Sequence, residues 1–319
     1  MTPRPVTVLT GYLGAGKTTL VNHVLRGGQG RYAVIVNEYG EVGIDGALID
    51  SGAEELVELS NGCLCCTVRG DLLRALHGLV PRLDGIDGVL IELSGLADPA
   101  PVVQGFLMDD SLRPRLRLDG VVAVADARHL PGHLEREVEA QDQIAYADLI
   151  VLNKIDLAGD TPLELLLRQV NPFARIVTAV RGRVPVADLF GQGTLDLDRI
   201  AGQISLAHGG HSHGPTGIQT VTLRATEPLD GQRLGDWIAD LLARQGQDIL
   251  RGKGILSIAG EERMLALHAV HMILEGDYIG AWPSGPRDSR LVLIGRHLDA
   301  EALRQGFRSC LAAKEGAFP

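Results

Sequence analysis

Val6-Thr-Val-Leu-Thr-Gly-Tyr-Leu-Gly-Ala-Gly-Lys-Thr-Thr-Leu-Val-Asn-His-Val-Leu25 decides the fold. Residues 6–10 are β-branched or apolar and read as a short strand, and residues 18–25 suit a helix. Between them, Gly11-Tyr-Leu-Gly-Ala-Gly-Lys-Thr18 fits the pattern G-x-x-x-x-G-K-[ST]. Strand, glycine loop and helix, in that order, are what a phosphate-binding loop requires. Gly11, Gly14 and Gly16 let the backbone fold so that successive N–H groups, that of Ala15 included, converge on phosphate oxygens. Lys17 is then placed to reach the β- and γ-phosphates. Thr18, followed by Thr19, is placed to set its hydroxyl on Mg²⁺.

Working outward, short apolar runs recur at residues 33–36, 88–93, 121–125, 149–152 and 175–179, with room between them for crossover helices. Continuous apolar strands suit a parallel sheet buried on both faces. The expected class is therefore α/β, a P-loop domain over residues 1–204 with a mainly parallel sheet. Residues 205–217, with His208, His211 and His213 among Gly, Ser and Pro, lack apolar periodicity and read as a linker. Residues 218–319 change texture. Strand-like runs at 218–223, 255–259, 264–273 and 291–294 accompany two helices, one marked by Leu234, Trp237, Ile238, Leu241 and Leu242, the other by Leu303, Phe307, Cys310 and Leu311. A small α+β domain with a mainly antiparallel sheet is expected there.

Composition narrows the partners. The 319 residues are 45% hydrophobic and 22% charged, as in an ordinary globular protein, and carry a formal net charge of −10. Nucleic acid is not an expected partner, because that charge repels a phosphate backbone and no basic stripe offsets it. No apolar run reaches the roughly 18 residues of a spanning helix, and the amino terminus has no signal-like apolar region. No membrane association and a cytoplasmic location are expected.

Asn153-Lys-Ile-Asp156 follows an apolar run that a parallel sheet would end at the phosphate edge. Asp156 there can accept from guanine N1–H and the exocyclic amine together, a pairing adenine cannot make. Lys154 can lay its stem over the base, and Asn153 can brace the loop. GTP is the expected nucleotide. In Val89-Leu-Ile-Glu-Leu-Ser-Gly95, Glu92 ends an apolar strand and is a candidate for ordering magnesium-bound or attacking water, with Gly95 sensing the γ-phosphate. Lys17, Thr18 and Glu92 are the expected catalytic set. No glutamine follows Gly95 to orient a water, so slow intrinsic hydrolysis is expected.

Cys63-Leu-Cys-Cys66 stands between the strand-like residues 55–59 and a helical stretch. Neighbours this close make a poor disulfide, while three soft thiolates suit a transition metal with one position left open. A redox centre and plain buried cysteines are the competing readings. Cys310 lies on the apolar face of its helix and reads as core. The three linker histidines fit either a flexible connector or a weak, exchangeable metal site. His268 and His271, three apart in one run, point to opposite faces and are not a metal pair.

Together the P-loop, Asn37-Glu-Tyr-Gly-Glu-Val-Gly-Ile-Asp45, Gly62-Cys-Leu-Cys-Cys-Thr67, Glu92-Leu-Ser-Gly-Leu-Ala-Asp-Pro99 and Asn153-Lys-Ile-Asp156 resemble the CobW family of P-loop GTPases. The second domain is similar in Lys253-Gly-Ile-Leu256 and Leu291-Val-Leu-Ile-Gly-Arg296. The resemblance implies that GTP and Mg²⁺ order switch segments, and that Cys63, Cys65 and Cys66 bind a transition metal which hydrolysis releases to a client metalloprotein. Zn²⁺ is the first choice, with Co²⁺ or Fe²⁺ as the alternatives for a loading factor, and a GTP-bound sensor or buffer is the reading from a different class. Glu38 and Glu41 become auxiliary metal ligands, and Arg69 a phosphate partner. A homodimer is compatible with the same reading.

Overall fold

A computed structural model describes residues 2–27, 30–37, 55–59, 67–191, 212–213 and 217–312. The chain divides into two compact units, Met1–Arg168 with Ala174–Thr194, and Gln169–Phe173 with Leu195–Pro319.

The first unit opens with β1 (Arg4–Thr10), the glycine loop and α1 (Lys17–Arg26). β2 (Tyr32–Asn37), β3 (Glu55–Leu59) and α2 (Thr67–Leu79) follow, then β4 (Gly88–Leu93) and α3 (Ala100–Met108). β5 (Leu116–Asp126) leads into α4 (Leu130–Arg136) and α5 (Val138–Tyr146). The remainder is β6 (Leu149–Asn153), α6 (Leu163–Val170, whose last two residues are counted with the second unit), β7 (Arg175–Thr178) and α7 (Val186–Leu189). Seven strands form one sheet in the order β3-β2-β4-β1-β5-β6-β7, and every neighbouring pair is parallel. Parallel order puts all strand ends that carry loops of one kind on one edge. β4 and β6 are buried along their full length, as apolar runs without alternation require. Leu20, Val21 and Val24 of α1 cover one face of the sheet against Val34, Leu90, Val122 and Val151.

β1 lies at the centre, between β4 and β5. Gly11, at its end, has φ 143°, and a Cβ there would run into the Val124 carbonyl oxygen of β5. Only glycine lets the phosphate loop leave the sheet this close to its neighbour.

The second unit holds β8 (Ser212–His213), β9 (Ile218–Ala225), α8 (Gly231–Gln245), β10 (Ile249–Leu256), β11 (Arg263–Val270), β12 (Ile273–Ala281), β13 (Ser289–Arg296) and α9 (Ala300–Ser309). Its sheet has the order β12-β11-β10-β13-β9-β8 and is antiparallel throughout. Both helices start on an aspartate. Asp230 accepts from the Gln232 and Arg233 N–H groups, and Asp299 from those of Glu301 and Ala302. Their inner faces bring Leu234, Ile238, Leu241, Leu303 and Phe307 against the sheet. Cys310 is core, as its helical position indicates: it is fully buried, and burial raises its thiol pKa.

Three departures from the sequence reading are instructive. The run at 264–273 is two strands: His271 takes a left-handed φ of 50°, Val270 pairs with Ile273, and the chain reverses without a glycine or proline. His268 therefore lies in β11 and His271 in a turn, so the two histidines do not share a strand. Of the run at 255–259, Ile255 and Leu256 close a strand that starts at Ile249, and residues 257–259 lie beyond it. Arg251 and Lys253 hide it in the sequence, since both are charged yet buried. Within the histidine-rich stretch, Ser212 and His213 add a two-residue edge strand paired to Thr220 and Gln219. Backbone pairing of this kind needs no apolar periodicity.

Phe307 is 1% exposed and meets Trp237 edge-on at 5.8 Å between ring centroids. Phe307→Ala is expected to cost about 3–5 kcal/mol, read as an earlier midpoint in urea unfolding of the full chain.

Candidate nucleotide site

α1 begins without protection at its positive end. Gly16 precedes it at φ 105°, no side chain caps it, and its first turn has no acidic residue. Such a terminus, with N–H groups turned outward, is a place for an anion. Lys17 is 8% exposed, and its Nζ donates to the Gly11 carbonyl at 2.8 Å, which folds the side chain back over the loop.

β4 runs beside β1 with Glu92 opposite Leu9, so its acidic residue emerges beside the loop. The Thr18 hydroxyl donates to Glu92 Oε1 at 2.8 Å. Two residues 74 apart in sequence thus offer adjacent hard oxygen donors, the chemistry that suits Mg²⁺.

β6 delivers Asn153 to the same edge. Asn153 is 1% exposed; its Nδ2 donates to the Ala15 carbonyl at 2.9 Å, and its Oδ1 accepts from the Gly182 N–H at 2.8 Å. A Cβ on Gly16 would lie 2.5 Å from Asn153 Nδ2, so the glycine makes room for the amide. Lys154, at a left-handed φ of 58°, spans back to the loop: its Nζ donates to the Gly14 carbonyl and to Asp126 Oδ2, both at 2.8 Å. Asp156, exposed, borders a cavity of about 530 Å³ together with Thr178, Ala179, Val180 and Arg181. The structure thus unites Gly11, Gly14, Ala15, Gly16, Lys17, Thr18, Glu92, Asn153 and Lys154 at one sheet edge, with Asp156 beside them.

Two contributors escaped the sequence reading. Asp126, at the end of β5, is 4% exposed and accepts from Lys154, from His129 Nδ1 at 3.0 Å, and from the Arg128 N–H at 2.9 Å. A strand-end acid at the carboxyl edge was the available signal. The other is the turn after β7. Arg181 and Gly182 have φ values of 52° and 67°, and the turn closes through the Arg183 N–H and the Val180 carbonyl. Its only mark in the sequence is Gly182.

Cys63, Cys65, Cys66, Glu38, Glu41, His208 and His211 lie outside the described residues, Arg69 lies in the first turn of α2, and His213 lies in β8. Among the described residues no group of three or more His, Cys, Asp or Glu side chains is placed to hold a metal ion, and no helix is long and apolar enough to cross a membrane.

This geometry has relatives. Residues 5–178 match the CobW/HypB/UreG nucleotide-binding domain, and residues 218–311 match the cobalamin synthesis protein CobW C-terminal domain. The chain belongs to the CobW family. This CobW-family chain is 34% identical over 313 residues to the zinc chaperone YjiA of Escherichia coli strain K12, covering 96% of this chain and 98% of that one. It is 39% identical over 193 residues to the zinc-regulated GTPase metalloprotein activator 1 of Schizosaccharomyces pombe, 57% of this chain and 47% of that one. The Zn(II)-bound crystal structure of the E. coli YjiA GTPase superposes with a TM-score of 0.82 at 30% identity, covering 98% of this chain and all of the other.

Electrostatics at the Lys154 anchor lead to a prediction. Burial is the largest single influence on the Asp126 carboxyl and raises its pKa; hydrogen bonds from Lys154 and His129, the Lys154 charge and the Arg128 N–H together outweigh it and bring the value from 3.8 to about 2. A folded value below the unfolded one means stabilisation that is complete above about pH 4 and lost as pH falls through about 2. Asp126→Asn is expected to lower Tm near neutral pH and to flatten the acid limb of the Tm curve between about pH 4 and 2. Thermal unfolding across that range checks it, and parallel curves for the two proteins would remove Asp126 from the linkage.

Proposed function

We propose that this CobW-family chain is a GTP-hydrolysing metallochaperone that carries zinc on Cys63-Leu-Cys-Cys66 and passes it to a client metalloprotein. The observation that carries the reading is the joint seating of Asn153 and Lys154 on the phosphate loop: the groups that select a base and those that bind phosphates form one hydrogen-bonded unit. The zinc-chaperone and GTPase relatives support both halves of the cycle.

In this reading the loop N–H groups and Lys17 hold the β- and γ-phosphates, and Lys17 exchanges its bond to the Gly11 carbonyl for phosphate oxygen. Asp156 pairs with guanine N1–H and the exocyclic amine. Thr18 and Glu92 supply the oxygens that hold Mg²⁺, directly or through its water, and Mg²⁺ when bound neutralises charge on the β- and γ-phosphates. Water adds to the γ-phosphorus, the bond to the β–γ bridging oxygen breaks, and GDP, inorganic phosphate and a proton leave. Glu92, buried beside Thr18, orients the water. The cysteine motif immediately precedes α2, and the switch segment follows β2, the strand adjacent to β4. A segment ordered by the γ-phosphate alters metal affinity when hydrolysis releases it, and metal alters nucleotide affinity by the same factor. The thiols stay reduced in a cytoplasmic setting.

Phosphate release with GTP and ATP, and Zn²⁺ titration of the GDP form and of a form holding a non-hydrolysable GTP analogue, test the cycle. GTP should be turned over in preference to ATP, zinc affinity should differ by roughly tenfold between the two forms, and Cys65→Ala should abolish the difference. No GTP turnover with any transition metal would defeat the proposal.

A further inference from the structure

α5 carries a buried amide that the nucleotide chemistry above leaves unused. Gln143 is 1% exposed, and its Nε2 donates to the Gly95 carbonyl at 3.0 Å and to the Ala97 carbonyl at 3.3 Å. Its Oε1 is buried without a hydrogen-bond partner among the described residues. An apolar side chain of the same length would fill this space but leave both carbonyls without this donor, so bulk alone does not explain the residue. What the amide does is grip two carbonyls of one short segment.

That segment, Gly95-Leu-Ala97, leaves β4 just beyond Glu92 and presses on the phosphate loop. A Cβ at Gly95 would lie 2.5 Å from Leu13 Cδ2 and 2.9 Å from Leu13 Cα, so the backbone here packs directly on the loop. The Ala97 N–H is taken by the Ser94 carbonyl at 3.1 Å, which closes a turn. In a trans peptide the N–H points opposite to the C=O. Holding the Gly95 carbonyl toward α5 therefore turns the Leu96 N–H away from α5. Gln143 sets the orientation of the peptide groups that meet the loop.

α5 also touches the loop at its other end. Burial and then the carboxylate of Glu137, which precedes the first turn of α5, raise the pKa of the Tyr12 phenol on the loop. Beyond Tyr146 the chain runs through Ala147 and Asp148 into β6 and Asn153. One short helix thus joins the phosphate loop, the Gly95 segment and the strand that bears the base-selecting residues.

We propose that Gln143 is a positioning residue that holds the Gly95 segment ready for the γ-phosphate, and that it thereby sets the discrimination between GTP and GDP. Its Oε1 is the acceptor for a backbone N–H of the same segment once the γ-phosphate has drawn it toward the loop, so one amide serves two arrangements. The inference rests on the GTPase reading above.

The test uses the full chain as wild type, Gln143→Met, which keeps the volume and removes both donors, and Gln143→Glu, which can donate only when protonated. Affinities for GDP and for a non-hydrolysable GTP analogue are measured beside single-turnover hydrolysis. Gln143→Met should keep GDP affinity within about threefold while analogue affinity and hydrolysis fall by roughly tenfold or more. Gln143→Glu should recover hydrolysis relative to Gln143→Met as pH is lowered, because a buried carboxyl is readily protonated. GDP and analogue affinities that fall together, or that both stay unchanged in a folded variant, would overturn the proposal. Should Gln143→Met not fold, Gln143→Glu carries the same comparison, and a pH-independent defect in it counts against Gln143. A wild type that neither hydrolyses GTP nor favours the analogue would sink the GTPase reading instead.

Discussion

The buried Asn153 amide is the contact on which the nucleotide edge depends. One side chain donates to the phosphate loop at Ala15 and accepts from the turn after β7 at Gly182. Three segments, 138 and 29 residues apart along the chain, are locked by two hydrogen bonds in a space too small for a Cβ on Gly16. A buried amide with both ends satisfied is rigid, since any displacement leaves a donor and an acceptor without partners away from water. The same constraint explains why glycine is required at Gly16 for reasons beyond phosphate geometry.

Around that amide the lysines are tethered by acceptors. Lys154 is held by Asp126 and by the Gly14 carbonyl, and Lys17 by the Gly11 carbonyl. Lys17 is buried and Lys154 partly exposed, and each is bent over the loop by a bond to a loop carbonyl. The positive end of α1, with neither acidic residue nor side-chain cap, adds to the field these cations produce. This edge thus gathers oriented dipoles and tethered cations on a chain whose net charge is −10.

Much of this was legible beforehand. The run of apolar residues ending at Thr10 and the glycines after it leave few alternatives to a strand and a phosphate loop, because the local backbone demands are severe. Glu92 and Asn153 were readable as strand-end residues, and the sheet brings both to the loop. Asp126 was equally a strand-end acid, but no motif distinguished it. The first part of β10 escaped because Arg251 and Lys253 break its apolar pattern, and the β11–β12 turn because His271 adopts a backbone conformation usually left to glycine or asparagine.

By itself the sequence determined which residues could carry chemistry: the glycine loop, the hydroxyl after its lysine, the acid ending β4, the Asn-Lys-Ile-Asp stretch and the clustered thiols. These are local properties, set by residue type and short spacing. Only the tertiary structure decided that Thr18 meets Glu92, that Asn153 occupies the room left by Gly16, that Asp126 anchors Lys154 and that Gln143 grips the Gly95 segment. Each of those contacts depends on strand order and register in a parallel sheet. Pairing between strands distant in the chain is fixed by packing of the whole core and leaves no mark in any one segment.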